Sequence, residues 1–344
     1  MQKRQGGNKP GFWSRYLEAV KAIFRGESLP GEIAPRPRSL GISNCHRYRL
    51  HGLSVESTIP LPNLDLAPVQ AVSDATIEIG TVPRDLADCV DRGARFQASP
   101  SGLLIWMDHV ARYSVANGNQ ITVEPLADST NGEVGELLLS IPIAALLLQR
   151  GTIILHASAV ATPQGAILIV GRSVAGKSAL ATWLAQQRIP FMSDDICTVV
   201  FDSKGTPCVN PGPARIRLLP EVADMILSRQ MPRPGANGIL RKISVELEGL
   251  HCQEPMPLKK IYLLEIGNLT SGGLNQVTEI AERAKILTQY TYGRQFLRPM
   301  NLEAVYGNKL KKLAEKVQIA QYMRPKGANT LPNLGALILK DIGK

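Results

Sequence analysis

The eight residues at 171–178 constrain the fold of this chain more than any other segment. They read GRSVAGKS, which fits the pattern GxxxxGK[ST] in full. The run AILIV at 166–170 precedes them and is typical of a buried strand, and the run ALATWLAQQ at 179–187 is rich in helix formers. We therefore expect a strand, a glycine-containing loop and the start of a helix, in that order, within an α/β fold.

This loop has the features of a phosphate-binding site. Backbone N–H groups and the positive end of a helix dipole both attract anions at such a position. Lys177 is expected to neutralise charge on the β- and γ-phosphates, and the Ser178 hydroxyl is expected to bind Mg²⁺. The motif does not separate kinases from ATPases or GTPases. The residues predicted to bind the nucleotide here are Gly171, Arg172, Ser173, Val174, Ala175, Gly176, Lys177 and Ser178.

Two adjacent carboxylates, Asp194 and Asp195, follow sixteen residues after Ser178. Neighbouring carboxylates at a strand edge cost free energy unless something pairs them, and Mg²⁺ on a nucleotide would do so. We predict that this pair, with Ser178, contacts the metal and that one of the two accepts a proton from an attacking hydroxyl. The residues alone leave open which carboxylate has which role. An Asp–Asp turn in solvent is the alternative interpretation.

The segment 150–220 resembles the HPr serine kinase/phosphorylase family. The features that carry the resemblance are, in order, His156 in LHASAV, the loop GRSVAGKS, a short helix followed by IPFMSDDICTVV, and PGPARIRLL at 211–219. The region that begins YRLHGLSVESTIPLPNLDL at Tyr48 also resembles the N-terminal region of HPr-kinase-like proteins, among them kinases that phosphorylate a serine of lasso-peptide precursors.

The resemblance implies an ATP- and Mg²⁺-dependent kinase that acts on a serine of a peptide or small protein. By position, His156 would line the site near the γ-phosphate, and Asp194 and Asp195 would supply the base and a metal contact. Arg215 and Arg217 alternate along an extended segment, so both would face one anionic group. Without the resemblance, His156 is better interpreted as a buried core histidine, and the two arginines fit a basic edge strand equally well.

Two departures separate the chain from the bifunctional HPr enzymes. Val174 stands where these enzymes commonly have glycine, and the C-terminal signature associated with phosphorolysis is not found; Tyr292-Gly293-Arg294 is the nearest fragment. The departures argue against phosphorylase activity and against HPr as the substrate. Two alternatives use the same loop: an HPr-type regulatory kinase of sugar metabolism, and a nucleotide-gated binding or regulatory protein with little transfer activity.

The net charge of +10 first suggests a nucleic-acid partner. The excess lies at the two ends, because residues 1–49 carry ten basic and three acidic side chains and residues 283–344 carry twelve and three. Residues 50–282, which contain the loop, carry 17 basic and 23 acidic side chains. Only 5% of residues are aromatic, without basic–aromatic interleaving near the loop. A nucleic-acid-binding ATPase is therefore not favoured.

The pattern of the chain predicts a small β-rich domain, a P-loop core and helical C-terminal segments. Alternating runs bounded by turns indicate antiparallel hairpins in the β-rich part. Helical patterns occupy 302–317 and 334–342 near the C-terminus. The predicted divisions are a basic extension and Pro-rich linker at 1–43, the β-rich domain at 44–128, the P-loop kinase core at 129–282, and a basic helical segment packed on the core at 283–344.

We expect a cytoplasmic protein. The apolar run at 137–148 is too short to span a bilayer and predicts a buried core helix. No continuous apolar segment follows the first basic residues, so a secretory signal is not expected. Five scattered cysteines without a CxxC pair suit a reducing compartment. Residues 12–25 have helical amphipathic spacing, and a solvated appendage is favoured there over a helix that binds a membrane surface or a partner.

Overall fold

The computed structural model of the chain describes residues 45–61, 64–68, 72–127, 129–227, 243–246, 249–267, 273–325 and 331–343. The predicted extension at 1–43, with its amphipathic pattern at 12–25, lies outside these residues. The sequence pattern at 239–247 also predicts a strand, and part of that segment lies outside the described residues. The described part combines two large sheets with seven α-helices. The predicted mixed α/β class is confirmed at that level.

The first sheet contains eight strands, in the cross-sheet order β1-β2-β3-β8-β7-β6-β5-β4. We predicted antiparallel hairpins throughout, but β2–β3 and β3–β8 are parallel pairs. The long connections on either side of β3 allow each following strand to return in the same direction. The strands are β1 (His46–Leu50), β2 (Leu53–Ser57), β3 (Ala75–Ile79), β4 (Asp91–Gly93), β5 (Phe96–Ser99), β6 (Gly102–Met107), β7 (Ala111–Ala116) and β8 (Gln120–Pro125).

Two buried helices, α1 (Asn131–Leu138) and α2 (Ile141–Gln149), follow the first sheet. A capping box at Thr130 and Glu133 starts α1. The sequence pattern predicts a single helix over 137–150, but α1 ends at Leu138 before α2 begins at Ile141. Pro142, at the start of α2, has no N–H with which to continue the earlier helix.

One helical stretch of the described residues, Asn131–Gln149, is long and apolar enough to cross a membrane by length and composition. In the fold, 78% of its most apolar window is buried inside the protein. Leu147 and Leu148 belong to the same core as the inner residues of the first sheet. This burial agrees with the predicted core helix.

The second sheet has the order β10-β9-β11-β12-β15-β17-β16, and β10 also pairs in parallel with β15. Strands β13 and β14 pair only with each other among the described residues. The strands after the first sheet are β9 (Ile153–Thr162), β10 (Gly165–Gly171), β11 (Phe191–Phe201), β12 (Pro207–Asn210), β13 (Ile216–Leu218), β14 (Ile243–Val245), β15 (Met256–Gly267), β16 (Leu274–Val277) and β17 (Gln318–Pro325). The remaining helices are α3 (Lys177–Gln186), α4 (Pro220–Leu227), α5 (Ile280–Gln289), α6 (Glu303–Lys316) and α7 (Leu331–Asp341).

Side chains of the second sheet alternate between two cores, as the period of a strand requires. In β10, Leu168 and Val170 belong to the core that also contains α2 and the first sheet. Their neighbours Ile167 and Ile169 belong to the core that contains α3 and α7. The first of these cores also contains the inner residues of the first sheet, so the two sheets share one core. The predicted domain boundary at residue 128 therefore stays a prediction.

The C-terminal part is not helical throughout, which corrects the prediction for 283–344. β17 lies between α6 and α7 in the chain and inserts into the second sheet, parallel to β15 and antiparallel to β16. Its buried residues Ile319, Ala320 and Tyr322 fill both cores. This short segment is therefore a strand because it is buried between two neighbouring strands. Strand formation commonly depends on such tertiary contacts more than on local sequence.

Helix α7 is tied to β15 and to α3. Asp341 accepts hydrogen bonds from Lys260 Nζ at 2.7 Å and from the Tyr262 hydroxyl at 2.5 Å. Gly335 lies directly against the ring of Trp183 on α3, where no space remains for a Cβ atom. The C-terminal helix thus packs on α3, whose N-terminus forms part of the predicted phosphate site.

We expect Gly335→Ala to lower the free energy of unfolding by about 1–3 kcal/mol, because the added methyl group overpacks the contact with Trp183. Gly307→Ala is the matched control, since Gly307 lies inside α6 with open space around it. That change should leave stability equal or raise it by up to about 1 kcal/mol. Thermal unfolding of both variants checks this, and equal midpoints would contradict the packing described.

Candidate active site

The loop at 171–178 connects the end of β10 to the first residue of α3, as predicted. Gly176 has a φ of +99°, in the left-handed region that favours glycine, and no atom lies near its missing Cβ. Gly171 is in close contact with another chain segment, because a Cβ there would stand 2.6 Å from the carbonyl oxygen of Leu264. Val174 is 77% exposed at the tip of the loop.

Lys177 lies under this loop with only 7% of its surface exposed. Its Nζ donates hydrogen bonds to the carbonyl oxygens of Gly171 at 3.0 Å and Arg172 at 3.3 Å. The ammonium group is therefore held beside the N-terminus of α3, where the helix dipole also favours an anion.

Asp194 joins three elements at the base of the loop. Its Oδ1 accepts hydrogen bonds from Ser158 Oγ on β9 at 2.6 Å and from Ser178 Oγ on α3 at 2.9 Å. Its Oδ2 accepts one from the backbone N–H of Arg217 on β13 at 3.0 Å. The carboxylate is thus fixed next to the hydroxyl that the motif predicts to bind metal.

Asp195 lies within 3.4 Å of His156, measured from its Oδ1 to Nε2 of the ring. The His156 ring packs edge-on against Tyr292, with 5.9 Å between ring centroids. Asp195 has a positive φ of 72° in the middle of a strand. This turns the chain locally, so the two adjacent carboxylates have different partners.

The acidic pair lies within a strand, and not in the Asp–Asp turn that was the alternative interpretation of the sequence. β11 runs through it without interruption, and Asp194 and Asp195 pair with Ser158 and Ala157 of β9. The register shifts between Phe191 and Ser193. This irregularity, together with the positive φ of Asp195, accommodates two polar residues in a strand that is otherwise apolar.

Arg215 and Arg217 both lie at the site, but in different ways. The Arg215 guanidinium forms a buried ion pair with Glu136 of α1, a residue that the sequence did not single out. The backbone of Arg217 binds Asp194, and its side chain lines the same cavity as the Arg215 side chain. The prediction that both arginines face one anionic group stays a prediction.

Two cavities flank the acidic pair. One of about 250 Å³ opens beside the loop at Arg172 and Ser173 and is also lined by His156 and Tyr292. The other, of about 20 Å³, lies between the acidic pair and the first sheet, and His51 of the β1–β2 turn lines it. A larger cavity of about 440 Å³ includes none of the predicted site residues.

His51 is the second residue at the site that sequence reasoning did not single out. Burial lowers the pKa of its imidazole to about 4, so the ring is neutral at pH 7. The one available signal was the His-Gly pair inside the alternating run YRLHGLSVES, because a glycine there indicates a turn. That signal predicts a turn and does not predict the contact with the core.

Cys197 follows the acidic pair on β11 and has no disulfide partner. Burial raises the pKa of its thiol well above the usual range, and the negative charge of Asp194 adds to the effect. A buried thiol of this kind is unreactive at neutral pH.

Among the described residues, no group of three or more histidine, cysteine or acidic side chains is placed to hold a metal ion on its own. Mg²⁺ needs no such group, since it commonly binds one or two carboxylates and fills its other positions with water and phosphate oxygens. Ser178 Oγ and the Asp194 carboxylate are hard oxygen donors within 2.9 Å of each other. Their chemistry fits that ion.

No protein-family model matches the chain, and no curated protein matches it. Among solved structures, the HPr(Ser) kinase/phosphatase from Coxiella burnetii aligns with a TM-score of 0.30 and 9% sequence identity, over 55% of this chain and 95% of that one. A likeness at this level does not establish a shared family or activity. Membership of the family that the sequence resembles stays a prediction.

We expect Arg215→Ala to lower the free energy of unfolding by about 3–5 kcal/mol, because it leaves Glu136 charged, largely buried and without its ion-pair partner. Arg92→Ala is the matched control, since it breaks an ion pair with Asp85 in which both side chains are exposed. That variant should unfold at the denaturant midpoint of the wild type. Similar losses in the two variants would contradict a structural role for the buried pair.

Proposed function

We propose that this chain is a Mg²⁺-dependent kinase that transfers the γ-phosphate of ATP to a serine hydroxyl. The observation that carries the proposal is the hydrogen bond between Ser178 Oγ and Asp194 Oδ1. In P-loop enzymes the loop serine or threonine and a strand carboxylate together hold the nucleotide-bound Mg²⁺. The bulged β11 brings such a carboxylate to the loop hydroxyl only sixteen residues along the chain.

The nucleotide is assigned to the loop at 171–178 and to the cavity beside it. Lys177 and the N-terminus of α3 place positive charge where the triphosphate would lie. Arg172 and Ser173 line the adjacent cavity of about 250 Å³.

The roles of the two carboxylates follow from their partners. Asp194 already faces the Ser178 hydroxyl, so we assign Asp194 and Ser178 to Mg²⁺, which when bound neutralises charge on the phosphate oxygens. Asp195 is next to His156 and lines the cavity on the side of the first sheet. We assign Asp195 as the general base and His156 as the residue that orients it.

In the proposed transfer, the serine oxygen forms a bond to the γ-phosphorus as the bond from that phosphorus to the bridging oxygen breaks. The serine proton passes to Asp195, and the nucleoside diphosphate leaves with the bridging oxygen. Lys177 stabilises charge on the transferred group. The acceptor is a peptide or small protein in the cytoplasm, with a ribosomal peptide precursor of the lasso type as the leading candidate; the resemblance in the sequence supports this choice.

A transfer assay tests the proposal. The full chain with Mg²⁺, γ-labelled ATP and serine-containing peptides should produce labelled phosphoserine. Asp195→Asn should slow labelling by about 100-fold or more, because a general base contributes at least that factor. Lys177→Ala should also abolish labelling, whereas Asp91→Asn, at an exposed position of β4, should not change it. Bound ATP with no labelled peptide would instead favour a nucleotide-gated binding protein.

A second test separates loop chemistry from stability. Gly176→Ala and Gly205→Ala both place alanine at a positive φ in open space, so each should cost about 1–2 kcal/mol of unfolding free energy. Mg²⁺–ATP should raise the melting temperature of the wild type and of Gly205→Ala, since Gly205 stands in the turn before β12. Gly176→Ala should lose that rise. Equal rises in both variants would place the nucleotide elsewhere.

A further inference from the structure

The turn between β1 and β2 reaches from the first sheet to the proposed active site. His51 in this turn is only 3% exposed. Its backbone N–H donates to the carbonyl oxygen of Pro211 at 3.1 Å, and its carbonyl accepts from Asn210 Nδ2 at 3.1 Å. Both partners lie at the end of β12, so the two sheets are joined by hydrogen bonds at this point.

The position of the His51 ring is tightly determined. Its backbone has a φ of 54°, which is uncommon for any residue other than glycine and costs free energy. Gly212 packs against the ring, and a Cβ at Gly212 would stand 2.9 Å from its Cε1 atom. A strained backbone and a close glycine contact together hold the imidazole at one place.

The ring has an unused hydrogen-bonding atom. Among the described residues, His51 Nδ1 has no hydrogen-bond partner although it is buried. Buried polar atoms in folded proteins nearly always have one, so an exception calls for an explanation. His51 lines the cavity of about 20 Å³ that Asp194 and Asp195 also line. A volume of this size holds one water molecule or one hydroxyl group.

We propose that this cavity receives the attacking hydroxyl group and that the Nδ1–H group of His51 donates a hydrogen bond to its oxygen. The inference rests on the proposed function, because Asp195 takes the proton of that hydroxyl. His51 is then a substrate-binding residue that the first sheet supplies to the catalytic core. The neutral ring suits this role, since it adds no charge next to the acidic pair.

A binding experiment tests the inference without requiring phosphate transfer. The full chain is labelled with ¹⁵N-histidine, and the His51 ring signals are assigned by comparison with His51→Asn. Millimolar N-acetyl-serinamide, added with Mg²⁺ and a non-hydrolysable ATP analogue, should shift the His51 ring nitrogens. N-acetyl-alaninamide, which lacks only the hydroxyl, should not. Identical spectra with the two probes would overturn the inference, whether or not the protein is a kinase.

Kinetics with N-acetyl-serinamide as the acceptor give the second test. His51→Leu should lower kcat/KM for the acceptor about tenfold, the loss expected for one hydrogen bond, with KM for ATP unchanged. His51→Asn places an amide near the position of Nδ1 and tolerates a positive φ, so it should recover most of the rate. The inference would be overturned if His51→Leu and His51→Asn had the same kcat/KM for the acceptor. It would also be overturned if the substitutions weakened the use of ATP as much as the use of the acceptor.

The two experiments separate the inference from the proposed function. If the wild type transfers phosphate and the His51 variants match it, the kinase proposal stands and the inference fails. If the wild type transfers no phosphate but the ring nitrogens distinguish serinamide from alaninamide, the hydroxyl site stands and the kinase proposal fails. Melting temperatures of both variants show whether a lost rate reflects unfolding.

Discussion

The Asp194 carboxylate is the contact on which the arrangement of the site depends. It accepts hydrogen bonds from Ser158 of β9, from Ser178 of α3 and from the backbone N–H of Arg217 beside it. Hydrogen bonds to an ionised carboxylate are roughly twice as strong as neutral ones. One side chain therefore joins the second sheet, the helix after the loop at 171–178 and the strand that contains Arg217. The metal and nucleotide chemistry proposed for the chain requires the same carboxylate.

The first sheet takes part in this arrangement. Its core continues through α2 into the second sheet, and its β1–β2 turn is hydrogen-bonded to residues at the end of β12. Glu136 of α1 binds Arg215 in the same region. Elements before and after the loop at 171–178 thus meet at the acidic pair. The contacts between the first sheet and the acidic pair are therefore made by the β1–β2 turn and by α1, and not by the distant strand β4.

The sequence predicted the elements whose signals are local. The strand β10, the loop and α3 have nearly the predicted bounds, because a motif and two clear periodicities coincide there. The path of β11 was missed because Ser-Asp-Asp is typical of a turn, and only pairing with β9 makes it a strand. Glu136 and His51 were missed for a different reason. Their partners lie 79 and 159 residues away in the chain, and no local pattern reports such contacts.

If Ser178 and Asp194 form one site for a metal-bound nucleoside triphosphate, as we propose, the affinity for ATP depends on Mg²⁺ and on Asp194. Isothermal titration calorimetry of ATP and AMP into the full chain, in Mg²⁺ and in EDTA, tests it most directly. We expect ATP to bind clearly in Mg²⁺ and at least tenfold more weakly in EDTA or after Asp194→Asn, a loss of about 1.4 kcal/mol or more. AMP should bind weakly under both conditions. Equal affinities for ATP with and without Mg²⁺, or for ATP and AMP, would contradict the proposed site.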